Sequence, residues 1–195
     1  MRKFFVNMFS YTGENAAIQI ELFDIWHILY FVILLGAAIG GGYAIIRSKS
    51  DRAKEITLKV LAYLVPAVYI ADFIIMPLSE GSINTDKLPF HICTIMGFMI
   101  PFAQFNKKFE PIKGTIACLS TVASLMYITY PGSALGGLSP WCYRIIQTFV
   151  YHGVVLAWGV ISIMTNEVEL DFHGIWKELA GIAMIILWAG FGNVV

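Results

Sequence analysis

What most constrains this chain is where its charges are not. Asp, Glu, Lys and Arg bound six apolar stretches, at 25–46, 60–79, 88–106, 114–130, 145–166 and 179–195, with Asp72 the one acidic interruption. A helix needs about 20 apolar residues to cross the hydrocarbon core. Lipid admits only helices or closed barrels, because every backbone polar group must be satisfied within the protein. The pattern therefore predicts an all-α, polytopic transmembrane bundle of about six helices, one integral membrane domain over 1–195. Composition agrees: 58% of residues are hydrophobic and 13% charged, against about 25% charged in soluble domains.

Thirteen basic residues balance thirteen acidic ones, with no basic stripe, which argues against a nucleic-acid partner. Three cysteines, Cys93, Cys118 and Cys142, are an odd number without metal-ligand spacing, so neither a disulfide framework nor a zinc site is expected. No cofactor motif is visible. The first 24 residues lack the continuous apolar core and cleavage pattern of a signal peptide. No appended soluble domain is expected. The last stretch reaches the final residue without a polar tail, so either a helix ends at the far interface or the chain continues beyond it.

Orientation follows from Lys and Arg in the short loops. Arg47, Lys49, Arg52 and Lys54 follow the first stretch, and Lys107, Lys108 and Lys113 follow the third. Both loops are expected in the cytoplasm, with the N-terminus outside. Arg2, Lys3 and the acidic loop of Glu167, Glu169 and Asp171 run against that assignment.

Ionisable residues inside a span are costly and mark functional sites by default. Asp72 is the strongest such signal. Alternation of the spans places Asp72, Cys93 and His152 in one half of the membrane, with His152 about 12 Å below Arg144. A cysteine near a helix N-terminus gains thiolate character from the dipole, and a histidine at the same depth can take its proton. Thr148 and Arg144 lie at successive i−4 steps behind His152 and make one face of that helix polar. His91, two residues before Cys93, points to another side of a regular helix. Pro89 suits a first helical turn.

Other polar residues read as structural. Cys118 reads as packing, and Cys142, between Trp141 and Tyr143, as part of an interfacial aromatic belt. His27, near Asp24, reads as an interfacial hydrogen-bonding residue, and His173 as solvated. Gly36, Gly40, Gly41 and Gly42 offer a smooth face for helix packing. The glycine-rich turn at 132–139 either packs tightly or lets a ligand approach the backbone.

The segment Leu88-Pro89-Phe90-His91-Ile92-Cys93, with Gln147-Thr148-Phe149-Val150-Tyr151-His152-Gly153 further on, resembles the YwaF and transmembrane protein 164 family of polytopic membrane proteins. The eukaryotic branch of that family is similar to androgen-induced hydrolases of lipid esters and is assigned acyl transfer between phospholipids through a cysteine and a histidine. The resemblance implies Cys93 as the acyl-accepting nucleophile and His152 as its base, with membrane lipids as substrate. Asp72, His91 and Gln147 are candidate supports, and first-turn N–H groups of the third span are candidate oxyanion donors. The rival expectation is a proton- or ion-coupled transporter using Asp72, His91 and His152, although paired broken helices, the usual pointer to a midplane site, are not evident. A non-catalytic membrane scaffold is the third.

Overall fold

The computed structural model describes residues 10–13, 16–81, 91–131, 135–168 and 175–194. Among them are six α-helices and no strand: α1 (Ile25–Ser48), α2 (Asp51–Glu80), α3 (Ile92–Phe105), α4 (Lys113–Thr129), α5 (Tyr143–Met164) and α6 (Ile175–Val194). A 3-10 segment, Lys107–Ile112, leads directly into α4.

Local chemistry sets the helix ends. Asp24 caps α1 by accepting from the backbone N–H of His27 at 2.7 Å, a donor that a helix start leaves open, and also accepts from the Glu21 N–H ahead of the helix at 2.9 Å. Lys49, in the left-handed region at φ 51°, closes α1, and the Ser50 hydroxyl accepts from Ala53 N–H to open α2. Two residues thus reverse the chain. Gly81 at φ 75° ends α2, its N–H donating to the Pro77 carbonyl at 2.9 Å, an arrangement only glycine adopts without strain.

Among the described residues four helical segments are long and apolar enough to cross a membrane: Ile25–Ser48, Asp51–Glu80, Lys107–Thr129 and Tyr143–Met164. The expected span at 88–106 is described from His91 onward. Its helix begins at Ile92 and has 14 residues, a rise of about 21 Å against a core of about 30 Å. Pro89 lies outside the described residues. In the other direction, α2 extends well beyond 60–79: its 30 residues rise about 45 Å, carrying the charged turn Asp51 to Lys59 past the apolar region.

At the centre is α5. Most of its residues are buried, Ile145, Phe149, Tyr151, Val155, Trp158 and Ile161 among them, while Ile146 and Val150 stay exposed near its start. One apolar cluster joins α5 to α2, α3 and α4 through Leu58, Val65, Met96, Ile100, Ala117 and Trp158. A second joins it to α1, α4 and the N-terminal segment through Ala38, Ile128, Phe149 and Ile20. By contrast α1 turns Val32, Ile33 and Ile39 outward, as a lipid-facing helix should.

Glycines set the closest crossings. A Cβ on Gly153 would meet Leu34 at 2.5 Å, and one on Gly159 the Ala117 carbonyl oxygen at 2.7 Å. Of the four α1 glycines, Gly42 abuts Met164 and Gly41 lies near Ile161, while Gly36 and Gly40 have no neighbour within 4 Å of such a Cβ. The smooth face expected of all four is therefore used at two. Pairings of Leu34 with Gly153 and Gly42 with Met164 make α1 parallel to α5; those of Thr121 with Gly159 and Tyr127 with His152 make α4 antiparallel.

One end of the bundle is tied by ions. Glu167, just past α5, accepts from Lys113 Nζ at 2.8 Å and pairs with Lys54 Nζ at 3.1 Å. The start of α2, the start of α4 and the end of α5 therefore share one face. Glu169, Asp171 and His173 lie outside the described residues, as do Arg2 and Lys3.

Candidate functional site

At the opposite end, the N-terminal segment folds over the start of α5. Tyr143 and Arg144 donate their backbone N–H groups to the carbonyls of Ser10 (3.1 Å) and Tyr11 (2.9 Å), so two first-turn amides that no intrahelical carbonyl reaches find backbone partners. From the same segment the Tyr11 hydroxyl donates to Asp72 Oδ1 at 3.2 Å. Asp72 is 1% exposed. Burial, then the charge and hydrogen bond of Asp72, hold the Tyr11 phenol above its ordinary value. The buried acid of α2 is thus hydrogen-bonded by a residue near the chain start, which lies well outside its own span.

His152 is buried between α4 and α5. Its ring stacks on Tyr127 at 3.7 Å with planes 3° apart. Nδ1 lies 2.7 Å from the Thr148 carbonyl oxygen. A carbonyl only accepts, so Nδ1 carries the proton, and in the neutral ring Nε2 is the basic nitrogen. The i−4 relation singled out in the sequence is real, though the backbone of Thr148 rather than its hydroxyl makes the bond. Gln147 is buried beside it, its Oε1 3.5 Å from Thr148 Oγ1.

Cys93 sits in the first turn of α3, nearer the helix start than a beginning at Leu88 would put it. His91 is the N-cap residue, makes no side-chain capping bond and is exposed. Its carbonyl accepts from Ile95 N–H at 3.0 Å, which leaves the amides of Ile92, Cys93 and Thr94 without intrahelical acceptors. The thiol is half-buried against the α2–α5 cluster. Apolar packing disfavours a thiolate while the helix terminus favours one, so ionisation depends on a base.

Contact between the Cys93 turn and the His152 helix runs through Tyr151. The Tyr151 hydroxyl donates to the Cys93 carbonyl at 2.7 Å, and its ring meets the His152 ring edge-on at 5.3 Å. Tyr69 of α2 packs on the other side, 6.1 Å from Tyr151. Cys93, His152 and Asp72 thus occupy the half of the bundle that holds the start of α5, as alternation of the spans required. Tyr127 and Tyr151 escaped sequence reasoning because tyrosine carries no pattern in an apolar helix, and Tyr11 because it lies outside every apolar stretch. Gly97, one turn after Cys93, was a usable signal of close approach: a Cβ there would lie 2.5 Å from the Tyr151 oxygen.

Two other residues at this end of the bundle are buried. Cys142 is fully buried in the second apolar cluster rather than displayed in an interfacial belt; it is Trp141 that packs on Trp26, at 4.8 Å. His27 is also buried, accepting from Phe23 N–H at Nδ1 (2.9 Å), so that Nε2–H donates to the Ile128 carbonyl at 2.9 Å. Both of its ring nitrogens tie α1 to neighbouring backbone. Cys118 is half-buried in α4. The turn after α4 packs through Leu138, whose carbonyl accepts from Ile20 N–H at 2.9 Å. A cavity of about 250 Å³ lined by Lys49, Lys54 and Asn166 lies at the ion-paired end, away from Cys93 and His152.

No curated protein and no solved structure matches the chain. The family model described as the TMEM164 family matches residues 21–195, nearly the whole chain, with the Cys93 and His152 segments inside the match: the protein belongs to the TMEM164 family of membrane proteins.

Proposed function

We propose that this protein is a membrane-embedded lipid acyltransferase or lipid-ester hydrolase in which Cys93 is the nucleophile and His152 its base. The observation that carries the reading is the joining of the Cys93 turn to the His152 helix through Tyr151, with His152 Nδ1–H held by the Thr148 carbonyl. His152 Nε2 takes the thiol proton, and the Cys93 sulfur attacks the ester carbonyl of a membrane lipid. The tetrahedral oxyanion is stabilised by open first-turn amides of α3, donors typically worth about 3 kcal/mol. Collapse forms the Cys93 thioester and expels the lipid alkoxide, which takes the proton from His152. A lysolipid hydroxyl or water then gives its proton to Nε2, attacks the thioester and regenerates the thiol.

Asp72, bonded by Tyr11, and Gln147, beside Thr148, are the supporting residues in this scheme. A transporter built on Asp72, His91 and His152 is less well supported, because His91 is exposed at the helix cap. In this reading the ion-paired end, which carries the basic loops, faces the cytoplasm, and the Cys93 end faces the outer leaflet. A single-cysteine variant bearing Ser48→Cys should then react with impermeant maleimide in inverted vesicles and resist it in intact cells.

The decisive experiment is intact-protein mass spectrometry of the membrane-extracted chain. An acyl adduct on Cys93 that disappears in Cys93→Ala, with loss of probe labelling at Cys93 in His152→Ala, is the expected result. Flux across vesicles that depends on Asp72 and survives Cys93→Ala would overturn it.

A further inference from the structure

Tyr151 has chemistry that a packing residue does not need. It is 5% exposed, and a buried phenol must find a partner. It finds one inside another helix. Its hydroxyl donates to the Cys93 carbonyl, whose ordinary i+4 partner is the Gly97 amide, and a Cβ on Gly97 would lie 2.5 Å from the same phenol oxygen. The hydroxyl therefore lies over the first backbone rung after the Cys93 turn. Gly97 makes this approach possible, since any side chain there would occupy the space of the hydroxyl.

We infer that Tyr151 is a positioning residue for Cys93: by bonding the Cys93 carbonyl from α5, it fixes the first turn of α3 at the level of His152. This rests on the reading of Cys93 and His152 as a nucleophile and base. The ring of Tyr151 packs against Tyr69 and against the edge of His152, and His152 follows it directly in the same helix. A rotation of α5 that moved the imidazole would carry the phenol along, so one bond couples the rotation of α5 to the position of the thiol. The ring supplies packing, whereas the hydroxyl supplies register. Tyr151→Phe separates the two.

The test is the rate at which N-ethylmaleimide modifies Cys93 in the full detergent-solubilised chain, followed by peptide mass spectrometry across pH. Tyr151→Phe is expected to slow modification at neutral pH by about tenfold to a hundredfold, the effect of displacing a reacting group by about 1 Å. The pH of half-maximal rate should move up, while the alkaline limit and the thermal midpoint stay near wild type. Gly97→Ala, which displaces the hydroxyl from the α3 side, should reproduce that pH shift. If His152→Ala slows Cys93 and Tyr151→Phe does not, the positioning role is overturned and the nucleophile-and-base reading survives. If His152→Ala leaves the profile unchanged, that reading falls and takes the inference with it. A Tyr151→Phe chain slowed equally at every pH, or unfolded, also overturns the inference, because its hydroxyl would then be structural.

Discussion

Gly159 shows how much one hydrogen atom decides in this bundle. Its Cα faces α4 so closely that an added methyl would lie 2.7 Å from the Ala117 carbonyl oxygen and 3.1 Å from the Thr121 amide, both backbone atoms that cannot swing aside. Gly159→Ala should therefore lower stability by about 1–3 kcal/mol, the usual cost of overpacking, seen as a lower thermal midpoint in detergent. Gly40 faces open space, so Gly40→Ala should be neutral or stabilising by about 0.5–1 kcal/mol through helix propensity. Sequence alone does not separate the two glycines, since both sit in apolar helices. Cys93 and His152 were legible because ionisable or nucleophilic groups are rare in spans; Tyr151 was not, because an aromatic residue in a span is ordinary until its hydroxyl is seen on a neighbouring helix.

Among the elements, the ion-paired end carries a titratable tie. Burial pushes the Glu167 carboxyl up, but hydrogen bonds and charge from Lys113 and Lys54 outweigh it and hold the group below its ordinary value. A carboxylate depressed on folding stabilises the fold above its unfolded pKa, and that stabilisation is lost as pH falls through the folded value. Stability should accordingly fall on acidification from about pH 5 downward, with a shallower slope in Glu167→Gln. Because Lys113 is only 5% exposed, that substitution at neutral pH should cost about 2 kcal/mol by leaving a buried ammonium less well satisfied. Urea or thermal unfolding at several pH values checks both. The acidic loop that argued against a cytoplasmic placement is partly neutralised, at Glu167, by the lysines that argued for it.

Across the whole molecule, α5 organises the rest. Trp158 is fully buried between the helices, its indole N–H donating to Gln104 Oε1 at 3.0 Å. Trp158→Ala should cost about 3–5 kcal/mol, whereas Leu78→Ala, at a site 82% exposed, should change the thermal midpoint little. Lipid tails are as apolar as leucine, so helices associate here through close packing and hydrogen bonds rather than by escape from water. That makes the most closely packed helix the most sensitive to truncation.

The all-helical membrane class, the alternation of the spans and the shared depth of Asp72, Cys93 and His152 were legible in the order of residues, because these depend on apolar length and on 1.5 Å per residue. That order did not determine where α3 begins, that Tyr11 reaches Asp72, or that Tyr151 joins the thiol-bearing turn to the imidazole-bearing helix. Those are matters of helix rotation and long-range contact. In lipid most apolar faces are equivalent, so only the fit of Gly97 to a phenol and Gly153 to Leu34 selects which face of α5 meets which neighbour.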